Sequence, residues 1–370
     1  MKQLFFIASL SLLLYSCKKN NDTDEFQDNF DRSGLLNNLA SNVIVPNYNQ
    51  LQFSLDSLVQ LTNSFVNSPG LMGLESMRDQ WKVCYKDWMH CSMFEFGPAA
   101  DVMIRQNLNT FPTDTVQIKN NIIAGTWDFN LAANIDAIGF PSVDYLLNRR
   151  DGNDALVMNS FTIDANAAAR KNYLVAVVLE MKSKIDAVVN GWSPAGSNYY
   201  STFVNSLGTD VGSSLGFLVN QLNYDYEITK NPRIGIPLGK QTLDVPLPEK
   251  CEAYFAGFSM ELAIEHISAI NNVFCGKSRT GIDGSGLDDY VDYLGATSNG
   301  SALSVAVKNK LNDIIVSMQA INGILSDAVV NEVSGMNVVY TKLLEALILL
   351  KTDVPGAIGI LITYQDTDGD

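Results

Sequence analysis

Apolar residues recur in this chain at steps of three and four, and that spacing restricts the possible folds more than any other feature. Tyr48, Leu51, Leu55, Leu58 and Phe65 fall on one face of a helix, and Leu74, Met77, Trp81, Cys84, Trp88 and Cys91 do so in the next. Leu174, Val178, Met181, Ile185 and Val188 form a third stripe. Val307, Leu311, Ile314, Met318, Ile321, Leu325 and Ala328 form a fourth. A period of about 3.6 residues places each set along one side of a cylinder, and such a side must be covered by other helices. Runs that alternate apolar and polar residues, as half-buried strands do, are nearly absent. The expected fold is all-α, with two antiparallel helical bundles packed side by side.

Punctuation falls between the stripes. Ser68-Pro69-Gly70 separates the first two helices, and Gly97-Pro98 is expected to close the second. The stretch from Asn231 to Glu249 carries Pro232, Pro237, Pro246 and Pro248 with Gly235 and Gly239, and it reads as an extended loop. A glycine-rich loop follows from Gly276 to Gly286. The break between bundles is expected near Gly191 to Ser197, giving segments 41–195 and 196–370.

The first residues address the compartment. Met1, Lys2 and Gln3 give a positive start, and Leu4 to Tyr15 is an apolar run too short for a membrane span. Ser16 and Cys17 close it, as in a secretory signal. Leu14-Tyr15-Ser16-Cys17 resembles a bacterial lipobox, which implies that residues 1–17 are a signal peptide and that Cys17 carries acyl chains. The expected location is the cell envelope, with the membrane reached through that anchor at the outer membrane. Residues 18–40 are expected to form a polar tether, since Lys18 to Asp31 offers little apolar surface to offset ordering entropy. No later stretch reads as long and apolar enough to span a bilayer.

A formal charge of −15 argues against a nucleic-acid partner, because phosphate binding needs a basic face. Cys84, Cys91, Cys251 and Cys275 remain beside Cys17. Cys84 and Cys91 are seven residues apart on one helix, roughly 10 Å, which is too far to bridge. Buried free thiols are the expected state, with a bridge between the two helical segments left open.

Several segments in order resemble the imelysin family. They are Trp81 to Pro98 (WKVCYKDWMHCSMFEFGP), Ile138 to Leu147 (IGFPSVDYLL), Arg233 to Gly239, Pro248 to Gly276 and the ending ITYQDTDGD. The resemblance implies a two-bundle helical protein of the envelope, with relatives linked to iron acquisition and some classed as metallopeptidases. The family's Gly-x-His-x-x-Glu motif maps onto Gly139, Pro141 and Asp144. Proline has no side-chain donor or acceptor and cannot ligate a metal. Ser92 stands where relatives often carry a glutamate, with Glu95 three residues on. The degenerate motif, Gly139, Pro141 and Asp144 with Ser92 and Glu95, is the candidate ligand site. Asp144 keeps a carboxylate that could hold iron or another divalent cation, although no ligand-rich motif supports one.

Read without the family, the residues yield no catalytic constellation. The chain has two histidines, His90 and His266, and no His-Glu-x-x-His helix. Glu261 and Glu265 share a helix face and read as solvated. Glu95 extends a core stripe and, before Gly97-Pro98, reads as an exposed helix end. No Gly-x-Ser-x-Gly elbow or phosphate loop is present. The expectation is a non-catalytic binding or accessory lipoprotein, working with an outer-membrane uptake component for iron or another nutrient. The alternative is a divergent imelysin-type metallopeptidase with a site around Asp144, Glu95 and His90.

Overall fold

A computed structural model describes residues 28–364. The signal segment, Cys17 and the last six residues lie outside the described residues.

Helix α1 (Arg32–Asn38) runs through a π-helical turn (Leu39–Ile44) into α2 (Val45–Asn67) without a break. The Asp31 side chain accepts from the Gly34 N–H at 2.8 Å and so caps the first turn. Leu35, Leu36, Leu39 and Ala40 are fully buried, and the Phe30 ring stacks on Tyr290 at 4.4 Å. The polar tether expected to reach residue 40 therefore gives way to folded chain by about Phe30. Four apolar side chains in residues 35–40 are enough to dock the helix, and the polar spelling of 18–31 concealed them.

The first three predicted stripes are buried faces, whereas the fourth is divided: its helix stops at Gln319, Ile321 beyond it is half-buried, and Leu325 and Ala328 are buried on a separate short helix, Leu325–Asn331. Every named apolar residue of α2 is at most 1% exposed, and Leu74, Met77, Trp81, Cys84 and Trp88 of α3 (Leu71–Met89) are fully buried. Two further helices complete the first bundle: α4 (Gly139–Leu147), packed on α3, and α5 (Ala167–Trp192), packed on α2 and α4. The second bundle contains α6 (Ser214–Ile228), α7 (Ser259–Phe274), α8 (Leu303–Gln319) and α9 (Val333–Ile348). Helix α8 packs on both α7 and α9, while α7 also lies on α3 and joins the two bundles. The only strands among the described residues, Thr297–Ser298 and Ser301–Ala302, form a hairpin around Asn299-Gly300. Both turn residues have positive φ, which suits the two-residue turn that asparagine and glycine favour.

Three boundaries depart from expectation. Helix α3 ends at Met89 rather than at Gly97, because the chain tightens to Cys91 N–H donating to Trp88 O and then leaves the helix. The proline-rich stretch is not extended throughout. Helix α6 continues as a π-helical turn, Thr229–Gly235, in which Pro232, lacking an N–H, is accommodated by wider-spaced bonds such as Ile236 N–H to Asn231 O. Residues 333–358 form one continuous helical run with a window of mean hydropathy 1.4, long and apolar enough by length and composition to cross a membrane. That corrects the reading that no later stretch qualifies. Met336, Val339, Leu343 and Ala346 nonetheless pack one face of this run into the core. Cys84, Cys91, Cys251 and Cys275 are free thiols.

Candidate functional site

The early end of α3 has a chemical consequence. Residues 90–97 run as turns across the junction of the bundles, so Ser92 and Glu95 leave the helix and face the start of the second half. The Ser92 hydroxyl donates to Asp225 Oδ2 at 2.5 Å, and Glu95 pairs with the Arg105 guanidinium. Arg105 also donates to Ser92 O at 2.8 Å and Gln221 Oε1 at 3.1 Å, with its Nε 3.3 Å from Asp225 Oδ1. Glu95 is thus held in a polar pocket rather than at an exposed helix end.

Behind these residues lies a fully buried polar chain. His266 Nε2 is 2.6 Å from Asp225 Oδ2, and His266 Nδ1 is 2.7 Å from the Thr229 hydroxyl. Arg233 Nη1 donates to Thr229 Oγ1 at 2.8 Å, and Arg233 Nε donates to Glu252 Oε2 at 2.6 Å. The other oxygen of Glu252 accepts from Tyr85 at 3.0 Å and from Asn109 at 2.7 Å. Each residue has a partner, although Asp225 Oδ1 accepts no hydrogen bond and is met only by the Arg105 charge, whose Nε lies 3.3 Å away.

Burial would raise the Asp225 carboxyl, but the hydrogen bond from His266 and the charges of Arg105 and Arg233 outweigh it and hold the group well below the usual carboxylate range. Burial lowers the His266 imidazole, with Arg233 adding to the effect against Asp225. We take Asp225 as ionised, balanced by the two guanidinium groups, and His266 as neutral. The hydrogen bonds agree with that assignment. Thr229 accepts from Arg233 and so donates to Nδ1, leaving Nε2–H to donate to Asp225. Ser92 contacts Asp225 and not His266, so the proton acceptor a nucleophilic serine needs is on the wrong side of the carboxylate. The arrangement is a lock between bundles, not a triad.

The degenerate motif sits at the start of α4. Gly139 has φ +78°, and a Cβ there would lie 2.3 Å from Leu108 O. Gly139→Ala is expected to cost roughly 2–4 kcal/mol, read as a lower urea midpoint, because strain and overlap coincide. Pro141 occupies the first turn of α4, where a missing N–H costs nothing. Asp144, 1% exposed, accepts from the Phe255 N–H through Oδ2 and from the Ala256 N–H through Oδ1, both at 2.9 Å. Asn148 Nδ2 donates to Oδ1 at 3.1 Å. Burial pushes the Asp144 carboxyl up to about 7 against the pull of these donors.

The five motif residues do not line one pocket. Pro141 and Asp144 border a cavity of about 280 Å³ with Phe111 and Tyr254. Glu95 and Arg105 border another of about 500 Å³ with Phe111 and Tyr224. Phe111 is common to both walls. Nor do Asp144, Glu95 and His90 meet. His90 Nε2 is 2.7 Å from Glu265 Oε1, which makes Glu265 a partner across α3 and α7 rather than a solvated residue. Glu261 is exposed. Among the described residues no three His, Cys, Asp or Glu side chains gather as a metal would require. At the motif itself the donor set does not fit a metal, since proline offers no ligand atom and N–H groups point at both oxygens of Asp144.

A family model, that of the M75 peptidases described as Imelysin, matches residues 44–352. The chain belongs to the imelysin family. Its fold is shared with an imelysin-like protein from Psychrobacter arcticum 273-4, at TM-score 0.67 and 18% identity over 90% of this chain and 97% of that one. It is shared also with a protein designated an iron-regulated protein A precursor, from Parabacteroides distasonis ATCC 8503. That likeness has TM-score 0.70 and 16% identity, over 87% of this chain and 95% of that one. None of the curated proteins compared matches the chain. Within the imelysin frame, sequence reasoning located Ser92 and Glu95 but missed their partners Asp225 and Arg105, along with Thr229, Arg233, Glu252 and the burial of His266.

Proposed function

We propose that the chain is a non-catalytic binding or accessory lipoprotein of the bacterial envelope, serving uptake of iron or another nutrient at the outer membrane. One observation carries the non-catalytic part. The motif segment, which in relatives presents a histidine and a glutamate, here presents Pro141 and an Asp144 whose two oxygens are taken up by the Phe255 and Ala256 N–H groups. With a backbone N–H aimed at each oxygen and a proline at the neighbouring motif position, Asp144 serves as a clasp for the chain rather than as part of a metal-ligand set. The lipobox-like Leu14 to Cys17 supports the anchor, and the designation of the Parabacteroides neighbour supports the link to iron.

The test has two parts. Cells given labelled palmitate should mark the chain at Cys17, and Cys17→Ala should release it to the soluble fraction. The purified chain should leave unfolded casein uncut with or without ferrous, ferric or zinc ions. Cleavage, or stoichiometric ion binding, that disappears in Asp144→Ala would restore the peptidase reading.

A further inference from the structure

A separate cavity of about 550 Å³ opens where the start of α2, the middle of α3 and the glycine-rich loop meet. It shares no lining residue with the two cavities beside the motif. Its distinguishing feature is Asn47. This side chain is 6% exposed, lines the cavity, and makes no hydrogen bond or ion pair among the described residues. Its amide atoms are open to the cavity rather than sealed in the core, so an occupant that displaces solvent from them must supply hydrogen bonds in its place. Asn47 carries both a donor and an acceptor, so whatever satisfies it must accept and donate in turn.

The opposite wall restricts the charge of the occupant. Asp87 is buried to 1% and accepts from Ser54, from Gln50 Nε2 at 3.4 Å and from the Arg279 guanidinium. Arg279 is partly exposed and is brought over the cavity by the loop, where the Ile282 N–H donates to Ser278 Oγ at 2.9 Å. The lining's one cation and one anion neutralise each other. A cation would meet the guanidinium, and an anion would meet an already paired arginine on a chain of charge −15. An apolar occupant would leave Asn47 dry and unpaired. Neutral polar groups remain, in the amides of Asn42 and Gln50 and the hydroxyl of Thr280. Between them Val83 and Ile282 expose apolar surface, 46% and 59% accessible.

We propose that this cavity is a binding site for a neutral, hydroxyl-rich ligand, a sugar of one or two rings. Vicinal hydroxyls donate and accept together and so complement a carboxamide, a carboxylate and a guanidinium placed around one space. The C–H faces of a sugar ring match the exposed Val83 and Ile282. A volume in the usual range of small-ligand sites accommodates one or two rings. The glycine-rich loop, which lacks the lysine and the preceding strand of a phosphate loop, then has a role as the arm that carries Arg279 and Thr280.

The test is saturation-transfer NMR on the full chain with glucose, galactose, mannose, N-acetylglucosamine, maltose and cellobiose at millimolar concentration, beside citrate and spermidine. At least one saccharide should bind, and Asn47→Leu should weaken it by about tenfold or more, the equivalent of one lost hydrogen bond. Arg279→Met should weaken it as well. Without ligand, Asn47→Leu should unfold close to the wild-type temperature, because the amide makes no hydrogen bond that the fold would lose. Four results would each overturn the proposal: no saccharide binds; binding survives Asn47→Leu; citrate or spermidine binds instead; or Asn47→Leu destabilises the free chain, which would mean that the amide serves the fold.

Discussion

Arg233→Leu is expected to lower the unfolding free energy by about 3–5 kcal/mol, the typical loss when one partner of a buried ion pair is removed. Arg233 and Glu252 are each 1% exposed, and their side chains meet at 2.6 Å. Without the guanidinium, Glu252 keeps the Tyr85 and Asn109 donors on one oxygen and loses the Arg233 donor from the other. Thr229 loses the N–H donor that orients its hydroxyl toward His266, so the damage spreads toward Asp225. Arg233→Leu combined with Glu252→Gln should recover more than half of the loss. Glutamine still accepts from Tyr85 and Asn109 but leaves no stranded charge. Urea unfolding of the wild type, both single variants and the double variant gives the coupling energy. A double variant no more stable than Arg233→Leu would mean that packing around the arginine, rather than the ion pair, ties the bundles together. Because the network joins α3, α6 and the segment before α7, its rupture should loosen both bundles in one transition.

The architecture was legible where periodicity governs it. The stripes of α2, α3, α5 and α8 are buried because steps of three and four admit no other packing, and those steps are visible in a single sequence. The network was harder to see, since its members lie far apart in the chain and meet only through tertiary contact. A signal was nevertheless present. In α6 the apolar positions Leu215, Leu218 and Leu222 lead by steps of three and four to Asp225 and Thr229, and in α7 Leu262 leads to His266 and then Ile270. A polar residue continuing a core stripe predicts a buried polar group, which then demands a partner. Reading Glu95 as an exposed helix end failed for the same reason, as its partner Arg105 sits beyond a turn no periodicity could place. The end of α3 was misjudged because Cys91 continues the stripe by spacing while the backbone has already left the helix. Asn47 gave no signal, since an asparagine near the start of a helix is ordinary until its burial is known.

Asp144 is expected to make stability fall as the pH rises through neutrality. An ordinary aspartate titrates at 3.8, whereas burial pushes this one up to about 7 in the folded chain. Between those values the folded state holds a proton that the unfolded state has released. The unfolded state then binds fewer protons, and stability declines with pH. The contribution is fully present below about pH 4 and is lost as the pH passes through about 7. A shift of about 3 units sets an upper bound on the order of 4 kcal/mol. The donors on Phe255, Ala256 and Asn148 act in the opposite direction and should trim the realised effect. Asp144→Asn cannot ionise, so the stability difference between wild type and variant, followed by urea unfolding from about pH 5 to about pH 8, isolates this group. His266, Asp225 and Glu252 are present in both proteins and cancel. The wild type should lose ground to the variant across that interval. If it gains ground instead, the three donors outweigh burial and Asp144 is ionised in the folded chain. In either case the residue at the glutamate position of the imelysin motif is tied to the backbone of the segment leading into α7. Its titration would then be felt as a change in the clasp between bundles rather than in any chemistry at the motif.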